Sequence, residues 1–392
     1  MEYLAALTQP SSNEKLNDLL KKSTSSLYFK WQAFEIGVAQ ITVNLGPLGT
    51  EEGTFSLADV NEFLENTLLA EIEIKETTAN QVVFRGVVHS YNQELRAKEG
   101  ASATFVLADS RWVCAYVTKF AFSLDGKEKS WLEKLVGKDL QLDLARYQPT
   151  TQFEKAHGVF VSNLWQTLRT HCIRTGRYLM AWPGETKVAC VHPSEWLSQP
   201  PTGLDFAEGV KGFQLQKDAS LALPQIKSQM YSPLDKNKNV FTSLLTSTKD
   251  APFPFPQDVL KKKSLFNVTE SDAKRAKSRG QGAHSWRSPK KTITLNLAFF
   301  PGSLKASGVF RLNPPPHPSY LKAESYRAWF EGNWVVGSWQ GGLSSQNSWL
   351  DLELLHADHL RQSAEGFEAG QANEGEPAPE KLWDEMELVL SI

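Results

Sequence analysis

Cysteine is scarce. Cys114, Cys172 and Cys190 are the three in 392 residues, too few for a disulfide framework in a chain of this length. The stretch from Met1 to Leu20 has no basic patch followed by an apolar one, the pattern of a secretory signal. Both absences predict a reduced, cytoplasmic protein. Long apolar runs are missing as well, and none approaches the roughly 18 residues that a membrane helix requires. Charge of one sign is not in excess either: the net charge is -2, with 22% charged and 41% hydrophobic residues. That balance is ordinary for a globular chain and predicts no whole-chain attraction to nucleic acid or membrane.

Catalytic signatures are also lacking. There is no Gly-x-Ser-x-Gly elbow, no phosphate-cradling Gly-rich loop and no His-Glu-x-x-His, and Gly280-Gln281-Gly282 continues into no dinucleotide fingerprint. Scattered groups remain. His171 and Cys172 with Cys190 and His192 have the donor types for zinc, but adjacent residues on a helix diverge, so buried thiols and surface histidines explain them better. His356, Asp358 and His359 fall at a strand end, where ligand-like spacing arises by chance. Asp351 and Glu353 share one face of a strand, as an acid–base pair would, yet a solvated outer face accounts for them more simply. The expectation is a protein that is not an enzyme and has no metal and no cofactor.

What the chain does contain is strand. A length of 392 residues favours two or three domains with a substantial core. Ser11 with Glu14 forms a capping box ahead of Leu16, Leu19 and Leu20. From Leu27 to Val43 apolar residues alternate with polar ones, and Gly46-Pro47-Leu48-Gly49 breaks the pattern. Ser56 caps a second helix carrying Leu57, Val60, Phe63 and Leu64. Strands then follow over Ala70–Lys75, Gln81–Tyr91, Ala103–Ala108, Arg111–Phe122 and Lys138–Ala145, with a capped helix at Ser130–Val136. Val161, Leu164, Trp165, Leu168 and Cys172 recur at helical spacing. Tyr178–Trp182 and Lys187–His192 read as a hairpin across Pro183-Gly184. The region from Ser198 to Pro256 is rich in proline and reads as extended strands and loops.

Two segments have biased charge. Leu260–Lys291 holds ten basic residues, among them Lys261, Lys262, Lys263, Arg275, Lys277 and Arg279, against Glu270 and Asp272. With His284 and Trp286 it suits phosphates and base stacking, which makes a β-rich nucleic-acid-binding protein the rival reading. Aromatics are sparse there, and an acidic protein neighbour suits it better. Ser363–Ile392 carries eight acidic residues against Lys381 and reads as a flexible tail. Its apolar end, including Trp383, Met386 and Leu388, suits docking onto a partner.

The most ordered signal is Lys290–His356: a strand over Thr292–Leu297, then Pro301-Gly302, then the strands Trp334–Trp339 and Trp349–Leu354. This order resembles the closing barrel of the baseplate hub proteins of contractile phage tails, type VI secretion spikes and related injection machines. Phe84-Arg85-Gly86-Val87-Val88 is similar to a Phe-x-Gly-Val strand of the first barrel in that family, and 161–182 corresponds to the α+β insertion between the barrels. The resemblance implies a mainly β chain with two small tube-like β-barrels. The expected division is 1–26 (N-terminal helix and linker), 27–150 (first barrel), 151–200 (insertion), 201–362 (second barrel) and 363–392 (acidic tail). It further implies a homotrimer adapting a six-fold tail tube to a three-fold spike, assembled in the bacterial cytoplasm as part of a phage-like particle. Its partners would be the tail tube protein, a spike that is a separate chain, and baseplate wedge components or cargo.

Overall fold

The computed structural model describes residues 1–9, 13–46, 57–96, 100–116, 118–124, 158–163, 165, 168–169, 177–185, 188–206, 209–218, 226–230, 239–243, 268–270, 290–314, 323–344 and 347–361. In chain order the first part comprises β1 (Tyr3–Leu7), α1 (Glu14–Lys22), β2 (Thr24–Gln32), β3 (Val38–Gly46), α2 (Leu57–Glu65), β4 (Glu71–Glu76), β5 (Gln81–Arg96), β6 (Gly100–Ala108), α3 (Arg111–Tyr116), β7 (Thr118–Leu124) and β8 (Gly158–Asn163). There follow β9 (Tyr178–Ala181), β10 (Val188–Val191), α4 (Pro193–Leu197), β11 (Thr202–Asp205), β12 (Val210–Asp218), β13 (Ile226–Met230), β14 (Asn239–Ser243) and β15 (Val268–Glu270). The last part is β16 (Lys290–Leu297), β17 (Val309–Asn313), α5 (Ala323–Phe330), β18 (Trp334–Leu343) and β19 (Ser348–His356).

The expected mainly β class is observed. Twelve strands form one sheet, ordered β1-β4-β5-β6-β3-β2-β18-β19-β16-β12, with β17 also on β18 and β11 on β17. Strand periodicity explains why. Leu27, Phe29 and Trp31 of β2, Ala39, Ile41 and Val43 of β3, Ala103, Phe105 and Leu107 of β6, and Leu350, Leu352 and Leu354 of β19 are all buried, while polar residues alternate with them. Strands from the two ends of the chain share this sheet because β2 pairs with β18. No pairing that closes either barrel occurs among the described residues. The hairpin expected over 178–192 is present as β9 and β10.

Local details differ from the sequence reading. Asn13, not Ser11, caps α1: its side-chain oxygen accepts the Leu16 N–H at 3.0 Å. Residues 3–7, given no strand by the sequence, pair antiparallel with β4. The expected strand 111–122 begins instead as α3, because Asp109 accepts the Arg111 N–H through its carboxylate (3.0 Å) and the Trp112 N–H through its carbonyl (2.9 Å), which turns the backbone into a helix. Val161 lies in β8, paired with β7, rather than in a helix. Trp165 and Leu168 just beyond it are helical and buried. The expected cap at Ser56, the helix at 130–136 and the strand at 138–145 lie outside the described residues.

Candidate functional site

The feature that unites the two ends of the chain is the seam between β2 and β18. Its register sets Trp31 opposite Trp339, with ring centroids 5.5 Å apart. Trp182, at the end of β9, lies 5.9 Å from Trp31, and Trp196 of α4 lies 5.1 Å from Trp182. Three of the four indole N–H groups are bonded to distant backbone: Trp31 donates to Ala181 O (2.6 Å), Trp339 to Val83 O (2.8 Å) and Trp196 to Ser307 O (3.0 Å), while the buried Trp182 Nε1 has no acceptor. Each of these three rings therefore contributes buried apolar area and also ties one block of the chain to another.

The 33–37 turn after β2 is fastened by a buried ion pair. Arg111, with no exposed surface, contacts Asp109 at 2.6 Å. The guanidinium also donates to Ala33 O (2.9 Å) and Gln32 O (2.7 Å), while Asp109 accepts the Gly37 N–H at 2.6 Å. Trp165 has the guanidinium carbons of Arg111 and Arg169 at 6.0 and 5.9 Å, and Arg169 reaches Glu35 of the turn at 2.6 Å. Burial pushes the nearby Cys114 thiol up to about 12, with the Asp109 charge adding to the effect, so this cysteine is inert packing.

Titratable groups meet at the far end of β19. His356 bonds through Nε2 to Glu331 O at 3.0 Å, and its Nδ1 accepts the Asp358 N–H at 3.3 Å, which fixes a neutral tautomer. Desolvation lowers its pKa. His359 is buried, and its pKa is driven down to about 3 by burial, then by Lys290 and His356. The Lys291 ammonium sits 5.3 Å from the Trp334 ring and 5.6 Å from that of Trp329, and donates to Ala328 O. Burial lowers its pKa too. Beside this corner opens a cleft of about 440 Å3, lined by Arg311, Leu312 and Asn313 of β17, by the 330–333 turn, and by Asp358 and Arg361.

Three of the other residues singled out in the sequence have structural roles. Asp351 accepts Asn296 Nδ2 at 2.7 Å and Gln340 Nε2 at 3.4 Å, a cross-strand network on the polar face. Glu353 is partly solvent-exposed. Desolvation nonetheless raises its pKa, against the pull of Lys30 and Lys290. His192 is the N-cap of α4, its Nδ1 accepting the Ser194 N–H at 3.2 Å, so helix capping explains it without a metal. Among the described residues no three His, Cys, Asp or Glu side chains are grouped to hold a metal. His171, Cys172, Lys261, Lys262, Lys263, Arg275, Lys277, Arg279, Trp383, Met386 and Leu388 lie outside the described residues. Arg111 was missed because its strand-like neighbours Trp112, Val113, Ala115 and Tyr116 masked the Asp109-x-Arg111 turn signal.

No protein-family model matches the sequence, and no curated protein does either. Solved structures do match. The tail protein of Neisseria meningitidis MC58 superposes over 93% of this chain and 99% of its own, with a TM-score of 0.60 at 11% identity. The 43 kDa tail protein of prophage MuSo2 from Shewanella oneidensis covers 92% of this chain and 100% of its own, with a TM-score of 0.59 at 9% identity. This chain has the tail-protein fold. That fold agrees with the resemblance seen in the Phe84–Val88, 161–182 and 290–356 stretches. A further match is to the Francisella PdpA–VgrG complex in its lidded form, with a TM-score of 0.52 at 9% identity. There 86% of this chain aligns with about half (49%) of the longer chain. At so low an identity the likeness shows the fold alone. Among the described residues no helix is long and apolar enough to cross a membrane.

Proposed function

We propose that the chain is a structural baseplate hub of a contractile tail or injection machine, working as a homotrimer between a six-fold tail tube and a three-fold spike. The observation that carries this reading is a tail-protein fold in which strands from both ends of the chain join across the β2–β18 seam. Three copies, each with two tube-like halves, present six similar units to the tube and three to the spike. The sheet supports such a ring, because among the described strands β1 and β12 each leave one edge unpaired. An unpaired edge is a template for a neighbouring strand. Head-to-tail pairing of unlike edges makes a heterologous contact, and such contacts form a ring when the rotation from one subunit to the next closes.

The role is mechanical and uses no reaction. The Trp31–Trp339 cluster and the Asp109–Arg111 clasp keep the halves rigid. The basic residues Lys261, Lys262, Lys263, Arg275, Lys277 and Arg279 meet an acidic face of a neighbour, and Trp383, Met386 and Leu388 anchor the tail end to a spike, a wedge component or cargo. The protein is carried within the assembled particle. Light scattering on the purified chain tests the trimer: a mass of three chains that persists on dilution supports it. A monomer at micromolar concentration that binds neither tube nor spike protein refutes it.

A further inference from the structure

One stretch of β17 leaves its ladder open. The strand pairs with β18 only through Val309 and Phe310. Ahead of β18 the chain turns away at Gly332 (φ +92), where a Cβ would come within 2.5 Å of His356 Nε2. On its other side β17 runs parallel to β11, and Asn313 O accepts the Phe206 N–H. Alternate residues of a strand bond to the same neighbour, so Arg311 and Asn313 turn their backbone groups toward β11 and Leu312 turns its own the other way. Among the described residues neither the Leu312 N–H nor its C=O has a backbone partner on that side. Both face the cleft of about 440 Å3 between β17 and the 330–333 turn, a volume within the roughly 300–1,000 Å3 typical of ligand clefts.

Charges around the cleft are matched except at one residue. Asp358 pairs with Arg361 at 3.1 Å, and Glu331 stands close enough to act on Lys291. Arg311 is exposed, and no carboxylate pairs with it among the described residues. Its neighbour on β11 is Gly203, which has no side chain to engage the guanidinium. Leu312 and Phe330 line the floor and are buried, so the floor is apolar and shallow. A strand laid along β17 would meet these groups in turn. Its backbone would exchange hydrogen bonds with Leu312, the side chain opposite Leu312 would point to the floor, and the flanking side chains would stand beside Arg311 and Asn313. A simple anion or a nucleic-acid backbone engages the guanidinium but leaves the open ladder unused, whereas a peptide uses both.

We infer that this cleft binds a short extended peptide of a partner protein, added as a strand to β17, with a carboxylate on the residue beside Arg311 and a small apolar side chain next to it. Main-chain bonds supply the affinity, and the charge-assisted bond to the guanidinium supplies the selectivity. The site lies within one chain, so it stands or falls separately from the hub reading and from the trimer.

Fluorescence anisotropy of the labelled peptide Ser-Glu-Val-Glu-Ser, titrated with the purified chain, tests it. The same peptide with both Glu replaced by Gln is expected to bind roughly tenfold more weakly, the loss of one charge-assisted hydrogen bond. Arg311→Ala should bring the two peptides to the same weak level without moving the unfolding midpoint, because the side chain is exposed. N-methylation of the peptide's valine removes the N–H that would donate to Leu312 O and should abolish binding. Equal binding of the acidic and amide peptides, or of the acidic peptide to wild type and Arg311→Ala, overturns the inference. So does undiminished binding of the N-methylated peptide, which shows an adventitious anion contact only. Tighter, Arg311-dependent binding of a labelled oligothymidylate also overturns it, since that result assigns the cleft to nucleic acid.

Discussion

Removing the Arg111 guanidinium should be among the most costly single changes in the described chain. Arg111→Ala strands Asp109, which is 3% exposed, with only the Gly37 and residue-111 N–H groups as donors. It also frees the Ala33 and Gln32 carbonyls. Breaking a buried pair from one side costs about 3–5 kcal/mol, because an uncompensated charge remains. Asp109→Ala should cost a similar amount, since it leaves the guanidinium with two carbonyls and the Gly37 N–H with no acceptor. The two effects share one origin, so Asp109→Ala with Arg111→Ala should cost roughly what either does alone. Asp109→Leu with Arg111→Met should be milder still. Urea unfolding followed by tryptophan fluorescence reads these differences as shifts in midpoint at constant slope. A cost under about 1 kcal/mol for Arg111→Ala, or strict additivity in the double variant, would refute the account of the clasp.

Other substitutions probe other links. Gly86→Ala should destabilise by about 1–3 kcal/mol, because the new Cβ would lie 2.5 Å from Ala108 O in a ladder where Val87 pairs with Ala108; a thermal melt unchanged from wild type would contradict this. Trp339→Phe keeps most of the ring packing but removes the donor to Val83 O, with an expected cost of about 1–2 kcal/mol by urea titration. His359 stays neutral in the folded chain down to about 3, whereas its ordinary pKa is 6.5. Between those values the unfolded state binds more protons. The stability from its neutral burial is therefore complete above pH 6.5 and is lost as pH falls toward 3, by up to about 1.4 kcal/mol per unit. His356, depressed as well, acts in the same direction. His359→Leu should flatten that part of the stability–pH curve, and an unaltered slope would show that the histidine is not buried neutral in solution.

The sequence was most legible where alternation was regular. β4, β6, β16 and β19 lie close to where period-2 patterning put them, because one face of each is more buried than the other, whereas β18, buried on both faces over Trp334–Gly337, was found from its β-branched and aromatic residues. It was least legible where a side chain overrode the backbone preference of its neighbours. Trp112, Val113 and Tyr116 favour a strand, yet the Asp109 carboxylate turns the chain into α3. β1 was missed because its five residues, Tyr3–Leu7, are recognisable only through pairing with β4, over sixty residues away. The cleft was invisible for a related reason: Arg311, Asn333 and Arg361 come from three separate elements and share no motif.

The β2–β18 seam also fixes an order of events during synthesis. Trp31 leaves the ribosome 308 residues before the Trp339 that it faces. At roughly 5–20 residues per second that is an interval of about 15–60 s. For that time β2 has β3 on one side and an open, tryptophan-bearing edge on the other. The N-terminal strands must therefore persist unfinished, and the last strands of the chain decide when the sheet is sealed and the subunit is ready to assemble.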